Sequence, residues 1–119
     1  MNYIKLNELA AQAMGWRKAG HALSGPYWEG KGEIIERRNW SPSTKYDDAE
    51  KLLERVLAGR VYETRKTGHG YDVITMPINE FDFNYPKALK FETLPLAMTV
   101  CALRASGIPE SSITEAQED

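Results

Sequence analysis

Apolar residues recur at helical spacing in three stretches of the chain and at strand spacing between them. Leu6, Leu9, Ala10, Ala13 and Met14 share one helical face, which predicts a first helix over 5–14 with Asn2 as its cap and Gly15 as its stop. Ala49, Leu52, Leu53, Val56 and Leu57 repeat at i, i+3, i+4, i+7 and i+8, predicting a second helix over 45–58 that Gly59 ends. A third is expected over 94–106, with Thr93 as cap, Pro95 in the tolerated first turn and Gly107 as stop. Past its first turn only Thr99 and Arg104 are polar, so this helix must be covered on nearly every side. It is either the central core helix or one side of an interface in a homo-oligomer.

Between the helices the period shortens. Val61–Arg65 and Tyr71–Met76 are rich in β-branched and aromatic residues and flank a glycine-containing loop, the pattern of an antiparallel hairpin. Phe81, Phe83 and Tyr85 alternate with polar residues before Pro86, and Ala88–Phe91 reads as a short edge strand. From Trp16 to Gly32 closely spaced glycines and Pro26 interrupt any long element, leaving room for short strands near Trp16 and Tyr27. A strand over 34–39 would send Arg37 and Arg38 to opposite faces. Pro42 then holds Ser41 out of helical geometry, and Ser43 or Thr44 can cap the second helix. Asp47 and Asp48 suit its positive end, and Thr44-Lys45-Tyr46-Asp47 matches the looser form of a capping box.

These elements make an α+β domain of three helices on a small antiparallel sheet, spanning residues 1–108, with 109–119 as a mobile acidic tail. The length of 119 residues, 42% hydrophobic and 27% charged, suits one folded core that buries roughly two-thirds of the unfolded surface. Glu110, Glu115, Glu118 and Asp119 carry four acids after Pro109; without them the formal charge of −2 becomes +2 on residues 1–109. That excess permits phosphate contact but falls far short of a dedicated nucleic-acid binder. A lone Cys101 and the lack of a signal-peptide or membrane-spanning apolar run lead to the expectation of a soluble protein in the cytoplasm with no membrane partner.

Chemistry-bearing residues are sparse. His21 and His69 lie in glycine-containing loops, and with Cys101 they fall short of the four ligands of a structural zinc site. Cys101 sits among Met98, Val100, Ala102 and Ala105, where burial would leave a thiol inert. Gly30-Lys31-Gly32 lacks the further glycine spacing and the following helix of a phosphate loop. Glu29, Glu33, Glu63 and Asp72 could supply a carboxylate pair for hydrolysis, although nothing in their spacing separates such a pair from surface charge. No catalytic residue, metal or cofactor is implied. The segment Arg37–Thr44 is the better candidate: Arg37 and Arg38 can grip an anion, Trp40 can stack on a base, and Ser43 and Thr44 stand at a helix N-terminus whose free N–H groups attract negative charge. The alternative is that Trp40 plugs the core, Ser43 and Thr44 merely cap, and the arginines are solvated.

The Trp40-Ser41-Pro42-Ser43-Thr44 entry into the second helix and the Ala97–Ala105 helix before Gly107 resemble the phage ABA sandwich domain family, as does the Ala13-Met14-Gly15-Trp16 end of the first helix. The likeness spans most of residues 5–107. It implies an α-β-α arrangement in a small phage or prophage accessory protein of the host cytoplasm, acting by binding and not by catalysis, and it transfers no catalytic residue. The expectation is a binding protein, with counter-defence as one role, that holds a nucleotide-like anionic ligand or a host protein. Two other classes stand beside it: a small hydrolase or phosphodiesterase using His21, His69 and a carboxylate, and an assembly protein acting only through the third helix.

Overall fold

A computed structural model describes residues 1–21, 25–77, 79–81 and 85–118, the side chain of His21 excepted. Helix α1 (Tyr3–Ala13) starts where the Asn2 side chain accepts the Lys5 N–H at 2.9 Å, and it buries Leu6, Leu9, Ala10 and Ala11. Strands β1 (Arg17–His21), β2 (Gly25–Gly30) and β3 (Glu33–Glu36) form one antiparallel sheet in the order β1-β2-β3. The short strands expected near Trp16 and Tyr27 are therefore present. Helix α2 (Tyr46–Leu57) leads into a second antiparallel sheet, β4 (Tyr62–Thr67), β5 (Gly70–Thr75) and β6 (Lys87–Phe91), before helices α3 (Leu94–Ala105) and α4 (Glu110–Glu118).

The α+β class holds, but the strands divide between two three-stranded sheets where one was expected. The hairpin β4–β5 forms with Thr67 opposite Gly70. Within the 81–85 alternation, Phe83 lies outside the described residues. The strand over 34–39 stops at Glu36, and Arg37–Asn39 closes into a 3-10 turn whose last bond runs from the Trp40 N–H to the Arg37 carbonyl.

Helix α3 is the centre of the core. Every residue from Leu96 to Leu103 is buried, packed by α1, α2, α4 and the faces of β5 and β6 that carry Val73, Thr75 and Ala88. The few polar positions on α3 thus reflect cover from its own chain, which removes the reason for placing an oligomer interface there. The acidic stretch after Pro109 is not a loose tail either. In α4, Ile113 and Ala116 are fully buried, and the Ala116 carbonyl accepts the Asn2 N–H at 2.8 Å, joining the two ends of the chain. Arg104 adds a forked contact to Glu110 at 2.8 and 3.1 Å. Asp119 lies outside the described residues. Among the described residues, no helix is long and apolar enough to cross a membrane.

The first sheet is fastened by one face. Alternation puts Trp16, Lys18, Trp28, Glu33 and Ile35 on the side toward the helices and Arg17, Tyr27, Glu29 and Ile34 on the other. Gly30 allows the close approach: a Cβ there would stand 2.5 Å from the Gly15 carbonyl oxygen at the end of α1.

Candidate functional site

The segment between β3 and α2 is built around Asn7 of α1. The Asn7 carbonyl accepts the Trp40 indole N–H at 3.1 Å; its Oδ1 accepts the Ser43 amide at 3.1 Å and the Ser43 hydroxyl at 2.8 Å; its Nδ2 donates to Ser41 Oγ at 3.2 Å. Trp40 and Ser43 are nearly fully buried, and the Trp40 indole N–H and the Ser43 amide and hydroxyl are each given a partner. Trp40 also meets Trp16 edge to face, with ring centroids 4.7 Å apart.

Several expectations for this segment are corrected by that packing. Trp40, 2% exposed, has no free face to offer a base. Neither Ser43 nor Thr44 caps α2: the cap residue is Lys45, which makes no side-chain cap bond, and Thr44 turns its hydroxyl to Ser41 instead. Asn7 outcompetes the helix for Ser43 because it satisfies the amide and the hydroxyl together. Asp47 and Asp48 occupy the first turn, and Asp48 Oδ2 accepts the Ser41 amide at 2.9 Å. The positive end of α2 therefore already faces negative charge, which disfavours an incoming anion at that point.

The two arginines part company. Arg38 lies open to solvent and pairs with Glu36. Arg37 is half-buried, its guanidinium 5.3 Å from the Trp28 ring centroid. Its Nε is shut off from solvent with no acceptor within reach among the described residues. Arg37 lines a cleft of about 160 Å³ with Ile4, Asn7, Glu8, Trp28 and Trp40. Glu8 in turn has a Lys18 ammonium at 3.8 Å, which offsets its charge. Ile4 stands 74% exposed at the rim. Trp28 and Asn7 were not anticipated as site residues. Their signals were the inward turn of Trp28 between Tyr27 and Glu29, and a polar residue sharing a helical stripe with Ile4 and Ala11.

Two larger hollows offer less. One, of about 560 Å³ beside Gly15, Arg17, Glu29 and Ile34, is lined by charges that already have partners, since Arg17 holds Glu29 at 3.1 Å. The other, of about 620 Å³ between the end of α2 and Pro77 and Pro86, is bordered by Arg60, whose Nε donates to the Met76 carbonyl at 2.9 Å.

The carboxylates considered for hydrolysis are each engaged. Glu33 receives Arg55 and, at 3.0 Å, Lys51, together with the Trp16 indole N–H at 3.4 Å. The Arg55 contact first and then Lys51 pull its carboxyl down to about 2, the opposite of what a general acid needs. Glu63 pairs with Arg65 at 3.2 Å, and Asp72 accepts the Lys90 amide at 2.9 Å. His69 is exposed in the β4–β5 turn, and the His21 side chain lies outside the described residues. Among the described residues no group of His, Cys, Asp and Glu is placed to hold a metal. Burial pushes the Cys101 thiol up to about 12, so it is a packing group.

Comparison of the chain with family models, with curated proteins and with solved structures finds no match.

Proposed function

We propose that this chain is a small binding module whose ligand presents an anionic group to Arg37 in the cleft between α1 and β2. The observation that supports this reading is Arg37 itself: its guanidinium stands over Trp28 at 5.3 Å beside the cleft, and among the described residues its enclosed Nε meets no acceptor. The Nε itself is closed to water, so an oxyanion in the cleft would meet the charge of the guanidinium and not this donor directly. The volume of about 160 Å³ equals roughly five water molecules, below the roughly 300 Å³ at which pockets for whole small molecules begin. It suits a phosphate or carboxylate end group with a short apolar neighbour against Ile4, and a nucleotide-like ligand would leave its base outside. The resemblance to small phage accessory proteins belongs to this proposal as context: a module that acts by holding a ligand or a host protein, in the host cytoplasm, without catalysis.

Inorganic phosphate and acetate, titrated against the protein with indole fluorescence as readout, test the reading because Trp28 lies beneath the guanidinium. Arg37→Ala should lose about ten- to a hundredfold in affinity, the equivalent of one charge-assisted contact. Arg38→Ala should bind as the parent does. Equal loss in both variants, or none in either at an unchanged melting temperature, refutes the assignment.

A further inference from the structure

Among the described residues, the second sheet ends in a strand with nothing beside it. β4 pairs with β5 alone, and all of its residues after Tyr62 are exposed. Met76 N–H donates to the Val61 carbonyl at 2.8 Å, so 61 and 76 form a hydrogen-bonded pair. The antiparallel alternation then turns the amides and carbonyls of 63, 65 and 67 toward β5 and those of Tyr62, Thr64 and Lys66 outward. The other edge of this sheet is blunted. β6 follows Pro86, carries an irregular register between Tyr71 and Val73, and holds Lys90 at φ 64°. β4 has neither a proline nor a bulge.

We propose that β4 is a self-complementary edge to which a second copy of this chain adds antiparallel, centred on Thr64. The outward-facing amides restrict the register, because hydrogen-bonded pairs across the edge can form only among 62, 64 and 66. Centring on Thr64 joins Thr64 to its own copy and Tyr62 to Lys66. It also sets Glu63 opposite Arg65 twice, in the non-hydrogen-bonded pairs where Cα atoms approach to about 4.5 Å. A shift by one step in either direction places Glu63 on Glu63 or Arg65 on Arg65, and like charges directly opposite are destabilising. Charge therefore selects one register.

The inner face of the strand agrees. Burial first, and then the nearby carboxylates of Glu50 and Glu54 on α2, hold the Tyr62 hydroxyl above its ordinary range. In the selected register the Lys66 ammonium of the added copy arrives opposite Tyr62, on the side of those two carboxylates. In the single chain the same lysine stands 5.9 Å from the centre of the Tyr71 ring.

Sedimentation of the full chain from about 1 μM to about 1 mM spans the affinities a one-strand interface can reach. The mass should rise from 13.5 kDa toward twice that, and amide exchange at Tyr62, Thr64 and Lys66 should slow with concentration while 63 and 65 stay constant. Thr64→Pro deletes an outward amide and leaves the β4–β5 ladder whole, so it should abolish association with an unchanged melting temperature. Glu63→Arg should weaken association about tenfold or more, and adding Arg65→Glu should restore it, which keeps the test sound if the proline variant fails to fold. A constant monomer mass overturns the proposal. So does association that persists undiminished in Glu63→Arg, or that the charge swap fails to restore.

Discussion

Replacing Glu33 by glutamine tests how the first sheet is anchored to the helices. In the parent the carboxylate bridges β3 to α2 through Arg55 and Lys51 and accepts the Trp16 indole N–H. Glutamine keeps the shape and loses the charge. A carboxyl brought from 4.5 to about 2 corresponds to roughly 3 kcal/mol at most. Because 27% of the Glu33 side chain still meets water, solvent screening reduces the expected contribution to about 1–2 kcal/mol. The sign follows from a depressed folded-state value: the contribution is present in full above about pH 4.5 and is lost as pH falls toward 2, with less than half remaining at about pH 3. Urea unfolding followed by indole fluorescence reads this directly, since Trp16 touches the carboxylate. At pH 7 the midpoint of Glu33→Gln should fall by about 1 M relative to the parent, and the two curves should converge as the pH approaches 3. A difference that is the same at pH 3 and pH 7, or absent at pH 7, would show that the ionised contact does not hold the sheet.

Two further outcomes follow from the core. Ile113→Ala removes a fully buried side chain from α4 and should cost about 2–4 kcal/mol if α4 unfolds with the domain; a melting temperature equal to the parent's would mean the helix detaches first. Cys101 should resist a thiol reagent in the folded protein at pH 8 and react at once in urea, and stability should decline as pH rises from about 9 toward 12, because the thiol raised to about 12 ionises more readily when unfolded. Rapid labelling of the native protein would contradict its burial.

What the residue pattern could convey depended on how local each determinant was. The face of α2 was legible because Ala49, Leu52, Leu53 and Leu57, all buried, need only helical period to be recognised. The Asn2 cap of α1 was legible for the same reason, its partner being three residues away. The start of α2 was not. Ser43 has the chemistry of a cap, and its diversion to Asn7 depends on a contact across 36 residues that no local rule contains. In α4 the buried Ile113 and Ala116 sit three apart, a helical signal outweighed by the surrounding acids. The α3 pattern was read correctly as requiring cover on all sides; that the chain itself supplies it depends on α1, α2, β5, β6 and the unexpected α4 closing around it.

The same long-range contacts that defeat local reading support the proposal for the Arg37 cleft. An arginine on a loop would spend rotamer freedom each time it bound, at a cost of up to about 2 kcal/mol. Here the 3-10 turn at Arg37–Asn39 is fixed on one side by β3 and on the other by Trp40, whose ring is seated against Trp16 and whose indole is bonded to Asn7. Trp28, reaching in from β2, lies beneath the guanidinium at 5.3 Å. Part of the ordering cost is thus met by folding, and the guanidinium stands beside the cleft before a ligand arrives. Preorganisation of this kind raises affinity without adding contacts. It also separates the two arginines: Arg38 is paired with Glu36 in open water, whereas Arg37 is half-buried over Trp28 beside the cleft.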